Sequence, residues 1–377
     1  AESLSVESGA TLSLTVPCVV SNNVIIRTGG TLTHEAITSA PGALTNRLDL
    51  TVCGDMSVEQ NAAIDVSEKG FTRTCNGGLG KASASGSSHG GIGGSGRPAY
   101  DSVFAPIHPG SSASSGDAGN NGGGVVRLRV GGTLTLNGRI AADGGNGNWY
   151  VGTGGSIWIT AGRLVGGGSV SANSGSYLVA SSSASSGGRI AVYLTNGDFS
   201  DWTGAMTAYA TAGSTDRPDG ATGTIYLQSG DEGDKCGTVY VGGRSYGAYG
   251  DVFSDKCTTP FPTAGWDVAE DFAHVKFVVS GKASPGFVAD MKIADIVMTD
   301  NDGGNPKANL LDHAVKVESM EHRRRANGKC KDWCAPYADL VNPGPEGTGA
   351  FVWPTVGLML MVRDDSNYLR RAVTCLL

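Results

Sequence analysis

Charge is scarce in this chain of 377 residues. Asp, Glu, Lys and Arg together make up 17%, and 35 acids against 28 bases leave a formal net charge of −7. Nucleic acid and anionic membranes both demand a basic field, so neither is expected as a main partner. The one basic cluster, His322-Arg323-Arg324-Arg325, sits among acids and reads as a solvated turn. No apolar run approaches the ~18 residues of a membrane-spanning helix. The longest candidate, Val356 to Val362 (VGLMLMV), suits a buried strand or a short core segment. The chain opens AESLSV, with neither an initiator Met nor a signal sequence, as a secreted protein does once its leader is removed. CxxC pairs are missing too. The eight cysteines, Cys18, Cys53, Cys75, Cys236, Cys257, Cys330, Cys334 and Cys375, form an even, scattered set. That pattern points to disulfides in an oxidising compartment, with buried free thiols as the alternative and the pairing left open. Only His322 lies near Cys330 and Cys334 in sequence, too few ligands for zinc.

Glycine, by contrast, is abundant and uneven: 49 of 59 lie in residues 1–250 and 10 in residues 251–377. Composition therefore divides the chain at about residue 250. Within the first part, GGTLTLNGRIAADGG (Gly131 to Gly145) is echoed 30 positions later by AGRLVGGGSVSANSG (Ala161 to Gly175). GGVVRLRV (Gly123 to Val130), GGSIWITA (Gly154 to Ala161), GGRIAVYL (Gly187 to Leu194) and TGTIYLQS (Thr222 to Ser229) form a second recurring phrase. Each is Gly punctuation followed by alternation at period two, the strand signature, and none has helical periodicity. Self-similarity at this interval marks a solenoid or a propeller. A propeller blade needs four antiparallel strands per repeat, whereas these units hold two or three short ones. The pattern therefore predicts an all-β, right-handed parallel β-helix over residues 1–250. Gly and Asn would turn its corners or lie against the next coil, while Leu134, Leu136, Ile140, Leu164 and Val170 would stack inside. Residues 251–377 read as a C-terminal cap or a packed β-rich domain.

The run from about Leu48 to Leu194 resembles a Gly-rich repeat of large secreted and surface-attached bacterial proteins in the parallel β-helix, pectate-lyase-like superfamily. The phrases that carry it are AAIDVSEKGF (Ala62 to Phe71), SSHGGIGGSG (Ser87 to Gly96), YDSVFAPIHPGSSA (Tyr100 to Ala113), Gly122 to Gly147, GGSIWITAGRLVGGGSVSANSG and GGRIAVYL. The resemblance implies a surface or extracellular setting and an adhesive or structural role, and carries no catalytic residues.

Two enzyme-like patterns are discounted. Gly91 to Gly96 satisfies GxGxxG without a strand before it or a helix after it. Gly86 to Gly90 satisfies GxSxG without a strand-to-helix elbow. Polysaccharide cleavage needs clustered carboxylates, yet Asp143 is the only acid between Gly123 and Leu194. The turn Asp300-Asn301-Asp302-Gly303 faintly resembles a calcium loop but lacks its remaining acids. No cofactor is expected, apart from a structural calcium at such a turn. Trp149, Tyr150, Trp158 and Tyr193 would form either a sugar-stacking face or an aromatic ladder that stabilises the coils. The expectation is an extracellular or cell-surface structural or adhesive protein that self-associates, as a filament or surface-layer subunit. The alternative is a carbohydrate-active protein, lyase, hydrolase or lectin, acting on a polysaccharide.

Overall fold

The computed structural model describes residues 1–38, 46–75, 78–81, 86–113, 120–147, 150–176, 184–210, 220–243, 258–263, 270–281, 283–298, 306–318, 341–342, 344–352, 359–360 and 373–374. Apart from one 3-10 turn at Arg73–Cys75, every regular element among them is a strand, and the sheets are mostly parallel. The chain begins with β1 (Leu4–Val6), β2 (Thr11–Ser13), β3 (Cys18–Val20), β4 (Val24–Ile26) and β5 (Thr31–Thr33), then β6 (Leu48–Val52), β7 (Met56–Val58) and β8 (Ala63–Asp65). It rejoins the sheets with β9 (Val125–Leu136), β10 (Arg139–Ala141), β11 (Ser156–Val165), β12 (Ser169–Ser171), β13 (Arg189–Leu194), β14 (Ala205–Thr207) and β15 (Thr224–Gln228).

Each strand hydrogen-bonds to its counterpart in the next repeat. β9, β11, β13 and β15 are neighbours in one long sheet, and β8, β10, β12 and β14 in a second. The recurring phrases are thus the pairing register itself: Val126, Ile157, Ile190 and Ile225 form one cross-strand row, and Leu128, Ile159, Val192 and Leu227 another. In the second sheet Leu12, Leu32, Ile64, Ile140, Val170 and Met206 line up in the same way. These rows merge into one buried apolar cluster. At about 1.5–3 kcal/mol for each large apolar side chain buried, the rows drive the stacking. The two phrases repeat at different intervals because of a bulge: Val125 pairs with Ser156, but Leu134 pairs with Leu164, the register shifting between Ala161 and Arg163.

Glycine's part in this is mainly close approach. A Cβ on Gly155 would lie 2.1 Å from the Gly124 carbonyl oxygen, one on Gly188 2.1 Å from that of Gly155, and one on Gly223 1.7 Å from that of Gly188. The glycines opening β11, β13 and β15 therefore each sit on the glycine of the repeat before.

At β15 the direction reverses. β16 (Thr238–Gly243) pairs antiparallel with β15, and β17 (Thr259–Phe261), β18 (Lys276–Gly281), β19 (Pro285–Phe287), β20 (Met291–Ile293), β21 (Asp295–Met298), β22 (Ala308–Asn309), β23 (Ala314–Val317), β24 (Val341–Asn342) and β25 (Ala350–Val352) follow. β16, β18 and β21 run parallel to one another and extend the long sheet, while β17-β19-β22-β24 and β20-β23-β25 form two further parallel sheets. Among the described residues after 250, the strands up to β25 thus keep the parallel plan, while Met359–Leu360 and Val373–Thr374 pair antiparallel in a sheet of their own. The core changes face at the reversal. Tyr226 pairs with Val239, Val239 with Phe277 and Phe277 with Ile296, and this row is buried in a second cluster with Phe261, Phe272 and Phe287. The row that was inside the first stack, Ile225, continues through Tyr240 to Val278 and surfaces, Tyr240 being 38% exposed.

Gly223→Ala is expected to lower stability in urea unfolding by about 3 kcal/mol through overpacking. Gly197→Ala, at φ +76° with nothing within 4 Å of the added carbon, is expected to cost about 1 kcal/mol. Equal losses would sink the contact explanation.

Candidate functional site

Side chains from four separate sequence phrases, His89, Asp101 with His108, Ser156 and Arg189, meet in one buried polar network. Asp101, in the left-handed region at φ 73°, accepts from the backbone N–H of Ser102, Ile107 and His108 and lies 3.0 Å from His108 Nδ1. Ser156 Oγ, at the start of β11, lies 2.9 Å from Asp101 Oδ2, 2.6 Å from the His108 carbonyl oxygen and 3.5 Å from His89 Nε2. His89 Nδ1 lies 2.6 Å from the Gly154 carbonyl, which only accepts, so Nδ1 carries the proton. Burial alone would raise the Asp101 pKa, but hydrogen bonding, led by the side-chain bond from His108, outweighs it and holds the carboxyl well below its usual range. Burial lowers the His89 pKa. Beside them Arg189, fully buried, donates to the Tyr100 carbonyl, Thr224 Oγ1 and Thr263 Oγ1. Glu270 accepts from the backbone of Val103 and Thr263 and, with Asp101, offsets the cation.

Ser, His and Asp together suggest a nucleophile relay, but the geometry is different. Asp101 and Ser156 both face His89 Nε2, the side from which a base would take the serine proton, while Gly154 holds Nδ1. Ser156, His89 and Asp101 are each no more than 2% exposed. The network joins residues 86–112 to the first stack and, through Thr263 and Glu270, to the second. The two discounted motifs are committed in the same way. Ser88 Oγ donates to the Arg97 carbonyl, and the N–H groups of Ile92 and Gly94 donate to Thr258 and Ala184.

The ends of the short second-sheet strands follow the same plan. Asp65 and Asp143 lie on adjacent repeats, and all four of their oxygens are engaged: Asp65 by Ser67 N and Arg139 Nη2, Asp143 by Asn173 N and Ser171 Oγ. Burial raises the Asp143 pKa; at Asp65 burial is outweighed by the bonds from Ser67 and Arg139, and the pKa falls. His34 closes the gap where the chain rejoins the sheet. Its Nε2 accepts from Val125 N at 3.1 Å, so Nδ1 bears the proton and faces the Glu35 carbonyl at 2.7 Å. Burial lowers its pKa to about 4.

Of the aromatic candidates, Trp158 and Tyr193 project from the long sheet on the face opposite the first core. Arg127 lies 4.6 Å over the Trp158 ring, and Tyr193 donates to the Phe104 carbonyl. Both pack against the second core. Tyr150 is half-buried, and Trp149 lies outside the described residues. Among the described cysteines, Cys18, Cys53, Cys75 and Cys236 carry free thiols in this structure. Cys75 shows why: its Sγ is enclosed beside Ile37 and Phe71 and bonds to the Thr72 and Ile37 carbonyls, as a small buried residue does. Cys257, Cys330, Cys334, Cys375, the basic cluster 322–325 and the turn 300–303 lie outside the described residues. Among the described residues no three His, Cys, Asp or Glu side chains converge as a metal site, and no helix is long and apolar enough to cross a membrane.

A groove of about 370 Å³ is open where the inner row surfaces at the end of the first stack. Trp202, Met206, Tyr209, Ile225, Leu227 and Tyr240 line it, with no charged side chain in its walls among the described residues. The Trp202 ring lies over Gly204, where a Cβ would meet it at 2.3 Å. Sequence reading missed these residues because Trp202 and Tyr240 come together only through the strand reversal. No family model, curated protein or solved structure matches this chain.

Asp101→Ala should lower unfolding free energy by about 3–5 kcal/mol, because it strands buried partners; a loss below about 1 kcal/mol would show that the network does not hold the two stacks. His34 gives a separate pH signature. A histidine whose folded pKa lies below its unfolded value of about 6.5 contributes stability above that pH and loses it as pH falls toward the folded value. Between pH 6.5 and about 4, the wild type should therefore lose about 3 kcal/mol more than His34→Gln. Parallel curves for the two proteins in urea titrations would refute this.

Proposed function

We propose that the chain is an extracellular structural or adhesive protein whose parallel strands wind as a right-handed β-helix, and that it belongs with the Gly-rich surface repeats it resembles. The observation that carries this reading is how polar groups at the coil edges are used. Asp65, Asp143, Asn173 and Ser156 bond to neighbouring coils or to the covering segment, which suits a rigid scaffold. Adhesion is favoured over growth by coil-on-coil stacking, since the outer edge of β15 is already taken by β16. β14, by contrast, has a strand neighbour on one side only among the described residues, and self-association would use that edge. Negative-stain electron microscopy should reveal discrete elongated particles. Round particles would sink the β-helix reading, and long filaments would move the conclusion from adhesion to assembly.

A carbohydrate-binding function is favoured by one observation of its own, the uncharged groove flanked by Trp202, Tyr209 and Tyr240. Aromatic faces beside hydroxyls suit the apolar face of a neutral sugar ring. Retention on a neutral polysaccharide gel should fall about tenfold in Trp202→Ala. Equal mobility of variant and wild type would remove the groove from consideration.

A further inference from the structure

A second surface is distinct from the groove. Three arginines converge on one carboxylate at the solvent side of the long sheet: Arg129 Nη1 lies 3.1 Å from Asp49 Oδ1, and Arg47 Nη2 and Arg127 Nη1 each lie 3.6 Å from Asp49 Oδ2. The register produces this. Asp49 pairs with Arg127 and Thr51 with Arg129 across β6 and β9, and Trp158 and Thr160 follow on β11. Asp49 is nearly buried, while the arginine side chains keep 27–37% of their surface. Burial and the neighbouring cations Arg129 and Arg47 lower the Arg127 pKa, while Asp49 opposes them. Among the described residues Asp49 is the one carboxylate within ion-pair distance of the three arginines, which leaves two positive charges there, in a chain whose net charge is −7. Arg127 Nε and Trp158 Nε1 are buried donors with no hydrogen-bond partner.

We propose that this row binds the anionic group of an acidic saccharide, a uronate or a sulfated sugar. Guanidinium groups match carboxylate and sulfate oxygens in fork geometry, and the surplus charge attracts an anion. The hydroxyls of Thr51 and Thr160 lie on the same face. They call for a ligand with hydroxyls beside its charge, which a bare phosphate lacks. Strands stand about 4.8 Å apart, so the row offers regularly spaced contacts to an extended polymer. The inference does not depend on the groove, and the two are tested on different variants.

Affinity electrophoresis through gels containing polygalacturonate, dextran or neither separates the outcomes. Wild type should be retarded by polygalacturonate and not by dextran, with retardation falling as salt rises. Arg47→Gln/Arg129→Gln should weaken binding about tenfold, while Asp49→Asn, which removes the opposing charge, should tighten it severalfold. Thermal melts establish that each variant is folded, and Trp202→Ala should bind polygalacturonate as wild type does. Unchanged retardation in the double arginine variant would overturn the proposal, as would weaker binding in a folded Asp49→Asn protein. Complete competition by inorganic phosphate at matched ionic strength would overturn the sugar assignment.

Discussion

The spacing between successive strands of the long sheet is the constraint on which the rest depends. Parallel strands hydrogen-bond at about 4.8 Å, and where β9, β11, β13 and β15 begin, the backbone approaches so closely that the residue before each strand has no room for a side chain. Gly124, Gly155, Gly188 and Gly223 meet this requirement one above another. Once they are aligned, the following residues have no freedom of register, because a slip of one position would turn Ile157 and Ile190 outward and Trp158 and Ala191 inward. The apolar rows follow from the glycine column as much as they stabilise it. The bulge at Gly131-Gly132 lets the second phrase keep its own register without disturbing the first.

The same constraint explains the reversal. A run of parallel strands ends with an exposed sheet edge, and here β16 takes up the edge of β15 in the opposite direction. Antiparallel pairing keeps the sheet continuous while the chain crosses to its other side. The second core consequently grows on the face that carried Trp158, Tyr193 and Tyr226. One row of side chains shows the transition, running from Asp49 and Arg127 through Trp158, Ala191 and Tyr226 to Val239 and Phe277. It is charged where the sheet meets water, aromatic where Phe104 covers it, and aliphatic or aromatic inside the second core.

What the sequence discloses follows the range of each interaction. Alternation and punctuation are local, and the strands of GGVVRLRV, GGSIWITA and GGRIAVYL lie where those phrases place them. The 30-residue echo is a comparison between neighbouring repeats and matches the pairing of Leu134 with Leu164 and Ile140 with Val170. The reversal was hidden because glycine content changes near residue 250, whereas direction changes between Gln228 and Thr238, in an ordinary Asp/Gly turn. The network was hidden for another reason. His89, Asp101, Ser156 and Arg189 belong to different phrases, and nothing within any one phrase reveals that a segment folds back over the sheet. Cysteine parity is a property of the count alone and says nothing about whether two thiols face each other.

The buried network and the arginine row use charge in opposite ways on one sheet face. At Arg189 the cation is enclosed, its donors are taken by Tyr100, Thr224 and Thr263, and Glu270 and Asp101 balance it. Enclosure of that kind costs desolvation, which hydrogen bonds and opposing charges must offset, and it fixes neighbouring segments in one arrangement. Around Asp49 the sheet is not covered in this way, three cations share one anion, and the guanidinium groups keep contact with water. An unbalanced cluster of this kind adds little to stability, since like charges repel and solvent screens the pairs. Its surplus is available to an outside anion instead. The covering segment thus sorts a single sheet face into a part that holds the molecule together and a part that remains open to a ligand.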